Sequence, residues 1–431
     1  MENKPYYITA ARLAQRGRES IPAEFLPHTQ LIYSSPATLA FNSPGAQGFG
    51  VKRAGLAIPG SVMLLVAPAC CGRNTTALNE TGYRERFFYL LQDEKDIITG
   101  RHLRRIPEAV EKICHSLPAK PSVVMLCITC VDALLGTDMD RVCRQAEQKA
   151  GVPVRPCYMY ALTRESRKPP MAAVRQTLYS LLQPARKNPR AVNLLGYFSP
   201  LQKDCELYAL LQQIGLEEIR EISRCKSYAE YLTMSQANFN LVLHPESRLA
   251  ASDLEKRLQI PSIELPRLYQ LDKVHTLYQI LARTLSSSID DAAFYQSAQK
   301  AVQEFCAQYS KLPIAIGSML NANPFELALA LTRYGLHVTE IYASPVPEDF
   351  SYLRRLAELA PDIRIFTNLS PTMLYYDCTE SPAALTIGQD ASYYHPSAAN
   401  IPWNGEQQPF GYAGIQRLFQ EMLQQCREVS I

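Results

Sequence analysis

The chain has 431 residues, enough for two or three domains, since single hydrophobic cores stop growing at roughly 250–300 residues. Its formal net charge of +3, with no long basic block, argues against nucleic acid or a membrane surface as the main partner. With 47% hydrophobic and 20% charged residues, it has the make-up of an ordinary globular protein rather than a disordered one.

The N-terminus, MENKPYYITAARLAQRGRES, has neither the apolar core nor the small-residue cleavage site of a signal peptide. The longest apolar run, SVMLLVAPACC, is well short of the ~18–20 residues that span a bilayer. A cytoplasmic protein is expected. Short apolar, β-branched runs then alternate with helix-period stretches. In chain order, strands are predicted at 61-SVMLLVAP-68, 122-SVVMLCIT-129, 153-PVRPCYM-159, 192-VNLLGYF-198, 239-FNLVLHP-245, 261-PSIEL-265, 312-LPIAIGS-318, 337-HVTEIYA-343 and 363-IRIFTN-368. Helices are predicted over 103–117, 171–182, 270–310, 325–335 and 415–428. The alternation predicts βαβ units and parallel sheets, hence an α/β protein of several stacked, Rossmann-like, doubly wound domains. The polar, proline-bearing segment 183-QPARKNPR-190 and the end of the helical stretch near 310 divide it into 1–187, 188–310 and 311–431. The stretch 376–414 reads as loop-rich, and the final helix as folding back on another domain.

Twelve cysteines are many for a chain whose thiols stay reduced, and a spaced subset of them points to metal binding rather than to a disulfide framework. Ligands of open parallel sheets gather at the carboxyl ends of strands, and two cysteine clusters sit at such ends. Cys70 and Cys71 follow the strand 61–68, while Cys127 and Cys130 lie at the end of the strand 122–129 and just past it. If the two strands share a sheet, the clusters face one edge, where thiolates would make a soft-ligand site suited to an iron–sulfur cluster. Spacing alone leaves open a buried packing role, a redox pair or a zinc half-site. No G-x-x-x-x-G-K-[ST] and no G-x-G-x-x-G after a strand is present, so no nucleotide is expected on this chain.

The segment 65-LVAPACCG-72 resembles the hGPxGC stretch of the nitrogenase component 1 family. The family's ERDIVFGG, STCxxxxIGDDI and PYxGxxG elements are similar to 93-DEKDIITG-100, 128-ITCVDALLGTDMD-140 and 409-PFGYAG-414, in the same order. The resemblance implies a nitrogenase component 1-like stack of domains. It places Cys71 on one cluster cysteine and Cys130 on another, with Cys70 on the preceding glycine. Cys70 and Cys127 are the candidate supplements, because the family's earlier cysteine is missing from 42-NSPGAQGFG-50. His244 falls where the family has the catalytic cofactor's cysteine and is a further metal-ligand candidate. The cofactor's C-terminal histidine has no match near 402-PWNG-405, which argues against dinitrogen reduction. Gly136 and Asp138 look structural.

What the resemblance implies is an iron–sulfur oxidoreductase component holding a [4Fe–4S] or larger cluster. It would receive electrons from a separate ATP-dependent iron-protein reductase and reduce a substrate bound between domains. A homodimer, or a heterodimer with a related subunit, would complete the ligand set, because two firm thiolates are too few for four irons. The alternatives are a non-catalytic scaffold for metallocofactor assembly and a metal-free α/β binding protein.

Overall fold

The run 61-SVMLLVAP-68 is apolar at consecutive positions, a pattern that suits a parallel strand covered on both faces. The structure, a computed structural model, describes residues 4–26, 33, 35–39, 53–68, 84–159 and 169–429. They fall into two compact units: one of Met1–Ala46, Leu201–Ile214 and Arg267–Ile431, the other of Gln47–Pro200 and Gly215–Pro266. The first strand, β1 (Ile8–Thr9), joins the sheet of the first of these units; the next eight strands form two sheets in the second.

In the unit built on Gln47–Pro200 and Gly215–Pro266, one parallel sheet holds β2 (Val62–Ala67), β3 (Phe87–Leu91), β4 (Val124–Ile128) and β5 (Val154–Tyr158), in the spatial order β3-β2-β4-β5. The strand period of two sorts β2 cleanly. Val62, Leu64 and Val66 pack with Ile106, Val110, Val142 and Ala146 of the helices Arg101–Ser116 and Met139–Ala150. Met63, Leu65 and Ala67 pack on the other face with Val174, Leu178 and Leu254. These three belong to the helices Pro170–Tyr179 and Arg248–Leu258. The second sheet holds β6 (Asn188–Leu195), β7 (Glu218–Arg220), β8 (Ala237–Val242) and β9 (Ser262–Glu264), again all parallel, in the order β7-β6-β8-β9.

The other unit holds β10 (Ile314–Ile316), β11 (Val338–Tyr342), β12 (Arg364–Phe366), β13 (Leu385–Ile387) and β14 (Ala399–Ile401), all parallel, with β1 antiparallel on β12. The α/β fold with parallel sheets is therefore as the alternation implies. The helical stretch 270–310 is two helices, Leu271–Thr284 and Ala292–Tyr309. The stretch 376–414, expected as loop-rich, contains the three-residue strands β13 and β14. The motif 409-PFGYAG-414 opens the last helix, Gly411–Glu428. The buried Glu206 carboxylate accepts from Tyr412 N–H at 2.6 Å, Ala413 N–H at 3.0 Å and Tyr278 O–H at 2.6 Å. This satisfies free amides of the helix start. Gly411, at φ +59°, is required there, since an added Cβ would stand 1.9 Å from Glu206 Oε1.

In each sheet the strand order reverses beside the first of the parallel strands: between β2 and β4, β6 and β8, and β10 and β13. Such a reversal opens a crevice at the carboxyl edge. At the third reversal the protein fills it. Asp390 accepts from Ser318 N–H and Oγ–H at 2.7 and 2.8 Å, Met319 N–H at 3.2 Å and Asn368 Nδ2–H at 3.0 Å. Gly317 leaves room for it, because a Cβ there would meet Asp390 Oδ1 at 1.9 Å.

Glu326, in the first turn of the helix Pro324–Arg333, is fully buried and accepts from Tyr269 N–H and Gln270 Nε2–H at 3.0 Å. Burial pushes its pKa from 4.5 up to about 7 against the hydrogen bonds from Gln270 and Tyr269 and the charge of Arg267. A carboxyl whose pKa is higher folded than unfolded stabilises most when protonated, so its contribution is lost as pH rises from the ordinary carboxylate range through about 7. We expect wild-type stability to fall, relative to Glu326→Gln, by on the order of 3 kcal/mol across that window. Denaturant unfolding of both proteins at several pH values measures it; parallel pH profiles would contradict it.

Candidate metal centre at the carboxyl edge of the first sheet

β2 and β4 are neighbours in register, Val66 opposite Ile128. The chain therefore leaves both strands at one edge, on the two sides of the first strand-order reversal. Past β2 come Pro68 and then Cys70 and Cys71, which lie outside the described residues. Past β4 come Thr129 and Cys130, the first residue of the short helix Cys130–Leu134. Cys130 is partly exposed and forms no disulfide. Gly136, at φ +62°, turns the chain out of this helix, and Asp138 caps the next by accepting from Arg141 N–H at 3.0 Å.

Cys127 is differently placed. It sits inside β4, 0% exposed, on the face shared with Met125 and Leu65, opposite Cys157 of β5. Burial, with Cys127 and Cys143 nearby, pushes the Cys157 thiol well above its ordinary pKa.

His244 follows β8 at the second sheet's strand-order reversal. Its Nδ1 accepts from Glu246 N–H at 3.3 Å and lies 3.7 Å from the Glu246 carboxylate, and its ring stands edge-on to Tyr197 at 5.6 Å. Next to it the buried Arg175 donates to the Gly196 carbonyl at 3.0 and 3.2 Å and pairs with Glu246 at 2.7 Å. Among the described residues, no three His, Cys, Asp or Glu side chains come close enough to hold a metal ion. The geometry thus brings the exits of β2 and β4 together and leaves His244 at the edge of the second sheet.

A set of polar residues that the sequence reading did not single out lies around Cys130. From the run 101-RHLRR-105, Arg101 and Arg105 both pair with the inaccessible Asp96 carboxylate. Burial pushes the Asp96 pKa up, and the two guanidiniums more than reverse it. His102 and Asp132 are both buried, with Nε2 3.6 Å from Oδ1. Burial also raises the pKa of Asp132 against the influence of His102, Thr137 and Gln92. The available signal was an acid inside apolar wording, Asp132 in CVDALL and Asp96 in KDIITG. Four large apolar side chains are exposed at the end of β3 and on the segments that follow β3 and β4: Ile98 is 83% exposed, Leu134 72%, and Leu91 and Leu135 about half.

The burial difference makes Cys127 and Cys130 chemically distinguishable. In metal-free protein, iodoacetamide should alkylate Cys130 while Cys127 reacts only on unfolding, because a thiol must reach solvent to ionise and attack. Peptide mass spectrometry after brief labelling measures it, and equal labelling of both would contradict the placement.

A family model described as nitrogenase component 1 type oxidoreductase matches residues 46–427. The chain is 24% identical to the Nitrogenase iron-molybdenum cofactor biosynthesis protein NifE of Sinorhizobium fredii over 90% of its own length and 82% of the relative's. It is 23% identical to the proteins of the same name from Rhizobium meliloti, over 86% and 83%, and Mesorhizobium japonicum, over 90% and 82%. Among solved structures it resembles Nitrogenase Cp1 at pH 6.5, with a TM-score of 0.68 at 14% identity, covering 95% of this chain and 96% of that one. The match over most of the length, on a fold of the same kind, shows that the chain belongs to the nitrogenase component 1 type oxidoreductase family.

Proposed function

We propose that the chain is a cofactor-bearing subunit of a nitrogenase-like complex, serving to build or carry an iron–sulfur metallocofactor rather than to reduce dinitrogen. The observation that carries the reading is the in-register pairing of β2 with β4, which brings the carboxyl ends of these two strands, the second of them leading into Cys130, to one sheet edge. Two independent facts support it. Relatives matched over 82–83% of their length are named as cofactor biosynthesis proteins. His244, in place of the family's cofactor cysteine, is engaged with Glu246.

In this reading Cys71 and Cys130 are the ligands, and Cys70 is the supplement closest in sequence. Thiolates suit iron, and a partly exposed strand-end cysteine can present one, so the donor set fits the group. Cys127, sealed in the core, serves packing, and His244 orients its own turn. A bound cluster would supply one-electron chemistry and an attachment point for further metal. The chain's own contribution is to hold the thiolates at one sheet edge and to shield them from water.

Two thiolates, or three with Cys70, leave four irons under-ligated, so another chain would complete the site. The exposed Leu91 at the end of β3, with Ile98, Leu134 and Leu135 on the segments that follow β3 and β4, fits a surface that a second subunit covers. Electrons would come from a separate ATP-dependent iron-protein reductase. The family's description as oxidoreductases favours a second reading in which the same centre reduces a substrate. In both readings the protein works in the cytoplasm; among the described residues no helix is long and apolar enough to cross a membrane.

The two readings separate in one assay. Anaerobically loaded protein is incubated with the iron-protein reductase, ATP and an apo-acceptor of the cofactor. The scaffold reading expects iron and sulfide to move to the acceptor without multiple turnovers of any added reducible substrate. Sustained ATP-dependent substrate reduction would overturn it in favour of the second reading.

A further inference from the structure

Three side chains behind Cys130 keep polar atoms that the protein leaves unanswered. Gln92 follows β3, His102 is the second residue of the helix Arg101–Ser116, and Asp132 lies in the first turn of the helix Cys130–Leu134. Each is more than nine-tenths buried. Both amide atoms of Gln92, His102 Nε2 and Asp132 Oδ2 have no hydrogen-bond partner among the described residues. Buried polar groups are almost always satisfied, and a cluster of exceptions marks a bound partner.

The geometry says which kind. His102 Nδ1 faces the Asp96 carbonyl oxygen at 3.3 Å. A carbonyl only accepts, so Nδ1 carries a proton, and Nε2 is left facing Asp132. Nε2 stands 3.6 Å from Asp132 Oδ1, beyond a direct hydrogen bond and in the range where a water intervenes. Gln92 stands beside Asp132, and its side-chain amide draws the Asp132 pKa down against burial. A partner that donates to Asp132 Oδ2, accepts from Gln92 Nε2 and reaches His102 Nε2 answers three of the four orphaned atoms. A metal ion or ammonium cannot accept, and an anion cannot donate. Water does both, and buried waters characteristically make about three such bonds.

We propose that Gln92, His102 and Asp132 hold an ordered water, and that this bridged set fixes the turn presenting Cys130. Gln92 and His102 are then positioning residues for Cys130. The water ties the ends of β3 and of the helix Arg101–Ser116 to the turn two residues beyond Cys130. The bridge belongs to the metal-free chain and stands or falls separately from the cluster.

The test uses metal-free, full-length protein. A crystal structure of the wild type at a resolution that shows ordered solvent should place a water within hydrogen-bond distance of Asp132 Oδ2 and His102 Nε2. Gln92→Met, which removes both amide atoms at similar volume, should lower Tm, because it strips partners from a bridged water. It should also speed alkylation of Cys130 several-fold while Cys127 stays protected, a local change that general loosening would not give. His102→Phe should act on Cys130 in the same direction. Solvent density missing from these atoms would overturn the proposal. So would a raised Tm for Gln92→Met, the result for an amide with nothing bound to it, or an unchanged Cys130 rate in both variants.

Discussion

Parallel pairing of β2 with β4 is the constraint from which the candidate centre follows. A sheet that starts in its middle must send its connections to opposite sides, and right-handed crossovers then lay helices on both faces. Both faces of β2 are buried as a result, which is why its sequence is apolar without alternation. The same topology leaves a notch at the carboxyl edge, where the chain leaving β4 turns directly into a helix that begins with Cys130. Two segments more than fifty residues apart in sequence are neighbours because of this one pairing.

The three sheets repeat the plan and fill the notch differently. At the first, Cys130 stands at the exit of β4. At the second, Gly196 lets β6 pass within contact of Leu243, since an added Cβ would lie 2.9 Å from the Leu243 side chain. Arg175 pins the turn there, and His244 is held by Glu246. At the third, Asp390 occupies the amides of Ser318 and Met319, where an open α/β sheet would accept an external anion. The fold alone therefore assigns no chemistry, and the distinction lies in a few side chains at each edge.

Most of the fold was legible because its strands are long apolar runs and its helices carry a clear 3.6-residue period. The short strands β1, β7, β13 and β14 gave no such signal, whereas the equally short β9, β10 and β12 lie inside longer apolar runs, and β3 was hidden by its partly exposed FFYLL next to the charged run at Asp93–Lys95. For the site, the sequence placed Cys127 and Cys130 in one spacing motif. Only the pairing face of β4 separates them, putting Cys127 in the core with Cys157 and Cys130 at the edge. The set of Gln92, Asp96, His102 and Asp132 was illegible for another reason. Its members come from three segments, and no local pattern says that two arginines of one run will pair with Asp96.

The central claim is that a cluster sits at the shared exit of β2 and β4. Iron and acid-labile sulfide analysis with EPR, on anaerobically prepared wild type, Cys71→Ala, Cys130→Ala and Cys127→Ala, addresses it most directly. The account predicts cluster signal and iron in wild type and Cys127→Ala, and loss of most of both in Cys71→Ala and Cys130→Ala. Unchanged iron and an unchanged spectrum in the last two variants, or iron-free wild-type protein, would contradict it.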